Sequence, residues 1–208
     1  ILLPDGGTPN KVRIALAPYS SGVNAGSYAA AVTGLANPAG KCTFEREQIS
    51  EVDAVAPASG SYLKAIGSPG IMPGASCPST SRIVPLTDDK ALLSSEVQSY
   101  RAGGSTAGHL GAEWSGVFSG HNSPVAYNDG KTGKAMVLMT DGLFNTVGGR
   151  NGGDYSAIAR QSSQIAVEYC NAMRAQGIKV YTVGFQLDDT RATQTLKDRA
   201  GLPQIFFE

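Results

Sequence analysis

The sequence predicts an α/β fold: a Rossmann-like, doubly wound and mainly parallel sheet flanked by helices, with a loop-rich insertion. Three observations predict it. Lys134 to Asp141 (Lys-Ala-Met-Val-Leu-Met-Thr-Asp) lacks the alternation of a half-exposed strand and is too short for a stable helix, so it reads as a central parallel strand buried on both faces. Ile178 to Phe185 (Ile-Lys-Val-Tyr-Thr-Val-Gly-Phe) reads as a second such strand. An amphipathic helix lies between them with short joins, and right-handed crossovers then stack helices on the sheet.

With 208 residues the chain is long enough for a sizeable core and somewhat short for two, so residues 1–208 read as a single domain. Its 17 basic and 17 acidic side chains cancel and no basic run appears, so nothing points to a nucleic-acid backbone or an anionic membrane as partner. Apolar runs stay far below a bilayer span. The chain opens Ile1-Leu2-Leu3 with no initiator Met and no signal-peptide pattern, and a piece of a longer protein is expected.

In order, Lys11 to Ala17 reads as a strand with Val12, Ile14 and Leu16 on one face, ended by Pro18. Gly, Ser, Pro and Ala dominate Ser20 to Pro85, broken by short helix candidates at Tyr28 to Leu35 and Tyr62 to Ile66, and 20–85 is read as an insertion decorating the sheet. Inside it, Cys42 and Cys77 lie where a covalent staple would stabilise most. A disulfide in an oxidising compartment and three ordinary reduced thiols, Cys170 among them, both stand as readings, because spacing without geometry does not decide. Cys170 sits on the apolar stripe of a helix and reads as a buried free thiol, and the three cysteines lack the paired spacing of a zinc site.

Thr87-Asp88-Asp89 supplies an N-cap and acid at the positive end of a helix with the stripe Leu92, Leu93, Val97 and Tyr100. Gly103 to Gly108 opens a second helix with Leu110, Trp114, Val117 and Phe118 on one face. Thr106 lies at its N-terminus, as a helix cap or as an oxygen ligand. Beyond the strand end, Gly148 to Gly153 forms a loop, and Asp154 caps a long helix through Ile158, Ile165, Ala166, Tyr169, Cys170 and Met173 that Gly177 stops. A helix over roughly Thr190 to Ala200 and a short strand from Ile205 to Phe207 complete the alternation.

Catalytic patterns are weak. Gly104-Ser105-Thr106-Ala107-Gly108 lacks the spacing of a nucleophile elbow and follows a helix where a strand is required. Asp129-Gly130-Lys131-Thr132 echoes the end of a phosphate-binding loop but precedes its strand. Of the 2 histidines, His109 and His121, only His109 is placed near the C-terminal edge of the sheet, where it or Glu113 would serve as general base. What converges is Thr106, on the loop after a helix, and Asp141, directly after a strand. Both aim at the edge where open α/β sheets hold ligands.

A strand ending in Thr140-Asp141-Gly142, a Gly103-Gly104-Ser105-Thr106 helix start before it and the later strand Val180 to Phe185 resemble a von Willebrand factor A domain. More narrowly, Arg13 to Ser20, Val84 to Lys90, Ser105 to Gly111 and Gly177 to Phe185 resemble TadG-like (TadE/TadG) Flp pilus assembly proteins, over most of the chain. The resemblance implies a metal-ion-dependent adhesion site, in which an Asp-x-Ser-x-Ser loop, a Thr and a second Asp hold Mg²⁺ or Mn²⁺. Thr106 matches the family's Thr and Asp141 its second Asp, with Ser105 as a further metal ligand. No Asp-x-Ser-x-Ser occurs; the nearest approach, Asp154-Tyr155-Ser156-Ala157-Ile158, lacks the last Ser and starts a helix. In the family that loop follows the first, central strand. The chain is therefore expected to lack that strand and its helix, and to bind divalent metal weakly or not at all. The resemblance further implies a noncatalytic binding module for pilus assembly or adhesion, with a protein partner and a membrane anchor upstream. It would face the periplasm or the cell surface of a bacterial envelope. A metal-assisted hydrolase and a purely structural domain are the alternatives.

Overall fold

A computed structural model describes residues 12–46, 57–121, 133–153 and 156–185, with Thr190, Thr193, Gln194, Phe206 and Phe207. The first half contains β1 (Ile14–Leu16), β2 (Val23–Asn24), α1 (Ala29–Thr33), β3 (Cys42–Arg46), β4 (Leu63–Ala65), β5 (Val84–Thr87) and α2 (Lys90–Ser99). The second contains α3 (Gly108–His121), β6 (Ala135–Thr140), β7 (Thr146–Val147), β8 (Arg150–Asn151), α4 (Ala157–Ala175), β9 (Lys179–Gly184) and β10 (Phe206–Phe207). The chain is a mixed α/β structure of helices and small sheets, of which one is parallel.

That sheet has the order β10-β9-β6, with Ala135 opposite Lys179 and Thr140 opposite Gly184. The crossover between β6 and β9 is α4, whose start is set by Ser156: its hydroxyl accepts the Ala159 N–H at 3.1 Å. Gly177, at φ 81°, follows its end, a conformation in which a side chain would strain the backbone. Asp154, expected as the cap, lies outside the described residues. Ile165, Ala166, Tyr169, Cys170 and Met173 bury against Met136, Leu138, Ile178 and Val180, and Ala112 of α3 joins this cluster. Cys170 is a buried thiol. The other side of α3, with Leu110, Trp114, Val117 and Phe118, closes a second core on Val23, Val32, Leu63 and Ile83.

The expected burial of β6 on both faces is not what the structure has. Met136, Leu138 and Thr140 are buried, but Val137 is 54% and Met139 49% exposed, and β9 alternates in the same way. An apolar run shows what burial would gain; it does not supply the covering layer. The helices α3 and α4 both cover the Met136–Leu138 face, and among the described residues β6 is an edge strand rather than a central one.

The sheet is also not mainly parallel across the chain: β1 pairs antiparallel with β5, and β2-β3-β4 form an antiparallel sheet. That second sheet gives 20–85 a framework of its own. Where a helix was expected at Tyr62 to Ile66, Leu63–Ala65 is strand, because so few residues cannot nucleate a helix when β3 offers ladder bonds. The helix expected at Tyr28 to Leu35 is Ala29–Thr33, closed by Gly34 at φ 68°. A disulfide joins Cys42 to Cys77. In α2, Asp89 caps the Leu92 N–H at 2.9 Å as expected, but the buried side is Leu93 and Glu96, while Leu92 and Val97 of the expected stripe are exposed. Glu96 is there because Arg82 pairs with it at 2.7 Å.

Thr190, Thr193 and Gln194 are helical; the rest of the helix expected to Ala200, and the Asp129 to Thr132 turn, lie outside the described residues. No helix among the described residues is long and apolar enough to cross a membrane.

Candidate functional site

The C-terminal end of β6 delivers Thr140 and Asp141. The Thr140 hydroxyl donates to the Gly142 carbonyl at 3.1 Å and accepts the Gly142 N–H at 3.3 Å, which folds the chain sharply and leaves Asp141 exposed at the sheet edge. Phe144 then turns inward, 1% exposed, under the start of α3. A Cβ on Gly108 would lie 1.9 Å from its ring, so only glycine allows this approach.

Asn145 ties the two predicted loops together. Its backbone N–H donates to the Thr106 carbonyl at 2.9 Å, and its Oδ1 accepts the Thr106 N–H at 3.0 Å and the Thr146 hydroxyl at 2.9 Å. Ser105 is held as well: its N–H donates to Ser21 Oγ at 3.3 Å, and its hydroxyl accepts Asn151 Nδ2 at 2.8 Å. The Ala107 N–H meets the Ser20 carbonyl at 2.8 Å. The structure thus brings the loops of Thr106 and Asp141 to one edge. Ser20, Ser21, Asn145 and Asn151, which sequence reasoning missed, are the fastenings. Their only signal is a polar side chain on a loop near a strand end.

The Thr106 hydroxyl and the Asp141 carboxylate are hard oxygen donors, the right chemistry for Mg²⁺ or Mn²⁺. They fit such an ion in kind but fall short in number. Mg²⁺ takes roughly six oxygens, the Ser105 hydroxyl is already engaged, and no group of three His, Cys, Asp or Glu gathers among the described residues.

His109 and Glu113 lie elsewhere. Instead of facing the sheet edge, His109 is fully buried, with Nε2 2.7 Å from Glu45 Oε1 and Nδ1 2.8 Å from Ser162 Oγ. The same Glu45 oxygen accepts the Gly148 N–H at 2.9 Å. Burial works to raise the Glu45 pKa, but the hydrogen bond and charge of His109, with the Gly148 N–H, hold it below the ordinary carboxylate value. Glu113, one turn further along α3, accepts the Arg46 N–H at 3.1 Å and lies 3.5 Å from Arg46 Nε. Burial pushes Glu113 up to about 8 against the pull of Arg46. Burial, then the neighbouring Glu113 charge, raises the Tyr169 phenol. Ser162, His109 and Glu45 have the connectivity of a charge relay, yet they are 0%, 0% and 3% exposed. A nucleophile enclosed in the middle of α4 meets no substrate. The cluster fastens β3 to α3 and α4, and Glu45, Arg46 and Ser162 carried no sequence signal for it.

A shallow polar cavity lined by Ser79, Thr80, Arg82, Ser95, Glu96 and Ser99 includes none of these residues. No protein-family model matches the chain, and no curated protein or solved structure matches it.

Proposed function

We propose that the chain is a noncatalytic binding module of a bacterial cell envelope, of the von Willebrand factor A type and TadG-like, serving pilus assembly or adhesion through a protein partner. The observation that carries this reading is the clamp of Asn145 on both backbone groups of Thr106, beside the strand end that presents Asp141. Loops fastened at the C-terminal edge of a parallel strand form a preorganised binding surface. The Cys42–Cys77 disulfide supports an oxidising compartment, the periplasm or the cell surface. The enclosure of His109 and Glu113 favours binding over hydrolysis.

The open side of β6 supports the finer fold. Strands β6, β9 and β10 follow one another in a single direction, and the right-handed crossover from β6 to β9 lays α4 on the face of Met136, Leu138 and Val180. A doubly wound sheet continues the other way from β6, with helices on the opposite face, where Val137, Met139 and Phe185 are now exposed. Tyr19, just past β1, donates its hydroxyl to the Met139 carbonyl, which puts the end of β1 beside that edge. In this reading a strand and helix outside residues 1–208 complete the sheet and bring an acidic Asp-x-Ser-x-Ser loop. With it, Thr106 and Asp141 hold Mg²⁺ or Mn²⁺, and an open position takes a partner's carboxylate.

Thermal melts of this chain and of an N-terminally extended one, each in EDTA and then in excess Mg²⁺, test the reading. A ligand at a hundred times its Kd stabilises by about 2.7 kcal/mol, and only the extended chain is expected to shift. If neither shifts, Thr106 and Asp141 are structural and the metal reading falls.

A further inference from the structure

The hairpin β7–β8 is held at its tip through both backbone groups of one residue. The Gly148 N–H donates to Glu45 Oε1 at 2.9 Å, and its carbonyl accepts the Met72 N–H at 2.8 Å. The contact is close: a Cβ on Gly148, at φ 59°, would sit 2.6 Å from the Gly70 oxygen, and one on Gly149 2.4 Å from Ala75 Cβ. The loop that receives the tip, 66–77, is anchored in turn by the disulfide at Cys77 and by a small apolar cluster of Phe44, Ile71 and Ala75. Tip and base are linked by the ladder of Thr146 with Asn151 and Val147 with Arg150, closed by the Gly152 N–H on the Asn145 carbonyl at 3.0 Å. At the base, Asn145 grips Thr106 and Asn151 grips Ser105. A hairpin of two-residue strands has too few ladder bonds to stand alone, so the order of its base depends on what holds its tip.

We propose that Glu45 and the disulfide-stapled loop 66–77 are positioning elements for the Thr106–Asp141 edge, acting through β7–β8. The proposal rests on the reading of that edge as the binding surface. The insertion then sets the geometry of the site and makes it sensitive to thiols. A dithiol attacks the Cys42–Cys77 bond and forms a mixed disulfide; its second thiol closes the reductant's own disulfide, and two electrons and two protons leave both cysteines as thiols. Loop 66–77 then loses an anchor, and the hairpin and the Ser105–Thr106 loop loosen after it.

Amide hydrogen exchange on the full chain, before and after dithiothreitol, tests this. Reduction is expected to speed exchange at Met72, Gly148, Asn145 and Thr106 by about tenfold or more, while Leu138 in β6 and Ala166 in α4 change less than about twofold. Ile71→Ala, which weakens the loop's apolar anchor without touching a cysteine, is expected to reproduce the pattern in the oxidised chain. Glu45→Ala is expected to speed Gly148, Asn145 and Thr106, and Glu45→Gln, which keeps an acceptor but weakens the bond, to speed them less. Faster exchange at Met72 with Thr106 and Asn145 unmoved overturns the proposal, as does uniform acceleration that includes Leu138. Metal plays no part in this readout, so the two readings fail separately. If Thr106 responds to reduction but Mg²⁺ stabilises no form of the protein, the positioning role stands and the metal reading falls. An Mg²⁺ shift in the extended chain that is equal in its oxidised and reduced forms overturns the positioning role and leaves the metal reading intact.

Discussion

Replacing Glu113 by Gln should change how stability depends on pH more than it changes stability itself. Glu113 is 1% exposed, with one oxygen on the Arg46 N–H at 3.1 Å and Arg46 Nε 3.5 Å away. Burial lifts its pKa from 4.5 to about 8 in the folded chain, and unfolding returns it to 4.5. Below pH 4.5 both states hold the proton and the group is silent. Between 4.5 and about 8 the unfolded chain releases a proton that the native state keeps, so stability falls as pH rises; above about 8 both states are ionised and the loss is constant. Each pH unit inside that window removes about 1.4 kcal/mol, so between about pH 5 and pH 7.5 the group withdraws roughly 3 kcal/mol. Gln keeps the shape and the acceptor for Arg46 but cannot titrate. Urea unfolding of both proteins at the two pH values isolates the group, since every other titration cancels in the difference. The variant should lie within about 1 kcal/mol of the parent at the lower pH and exceed it by roughly 2–3 kcal/mol at the higher. Parallel pH profiles would refute this reasoning. So would a loss of about 3–5 kcal/mol at both values, the signature of a broken buried ion pair with Arg46.

Glu45 gives the opposite sign: its folded pKa is depressed, so its stabilisation is present above the unfolded value of 4.5 and is lost as pH falls through the lower folded value. Acid unfolding followed by circular dichroism should be less steep in Glu45→Gln, at a neutral-pH cost of about 1–2 kcal/mol for the weakened charge-assisted bonds; an unchanged acid limb would count against the His109 pairing. Gly108→Ala would drive its Cβ to 1.9 Å from the Phe144 ring and should destabilise by about 1–3 kcal/mol or more in urea melts, with a neutral result contradicting that packing. In the present chain Leu138→Ala should cost about 2–5 kcal/mol and Val137→Ala less than about 0.5 kcal/mol, and equal costs would mean that both faces of β6 are covered.

Much of the second half of the fold was legible because its signals are local. The stripe Ile165, Ala166, Tyr169, Cys170 and Met173 and the stop at Gly177 specify α4 within the helix itself, and the runs at Ala135 and Ile178 specify strands. In the first half, the short segment Leu63–Ala65 satisfies helical and strand spacing alike, and only pairing with β3 decides between them. The stripe of α2 misled for a related reason. Val97 has the right spacing for a core but is 53% exposed, whereas Glu96 is buried and pairs with the Arg82 guanidinium, a partner that spacing along the helix does not announce. In the candidate site, the sequence places Thr106 and Asp141 each at the end of a predictable element, and the structure adds the Asn145 bonds that hold the Thr106 loop beside the end of β6.

By itself the sequence determined the helix α4, the strands β6 and β9 and the burial of Cys170, whereas the hairpin β7–β8 stands where only a loop was expected. Tertiary structure alone decided that β6 keeps one face open, that Cys42 pairs with Cys77, and which polar groups fasten the site. The bonds from Asn145 to Thr106, from His109 to Glu45 and from Gly148 to Glu45 span 39, 64 and 103 residues. Hydrophobic period and capping propensity act over a turn or two of chain, so they shape each element without choosing its partner. A buried amide or carboxylate bonds whichever group packing brings within reach, and that choice is made only when the layers close.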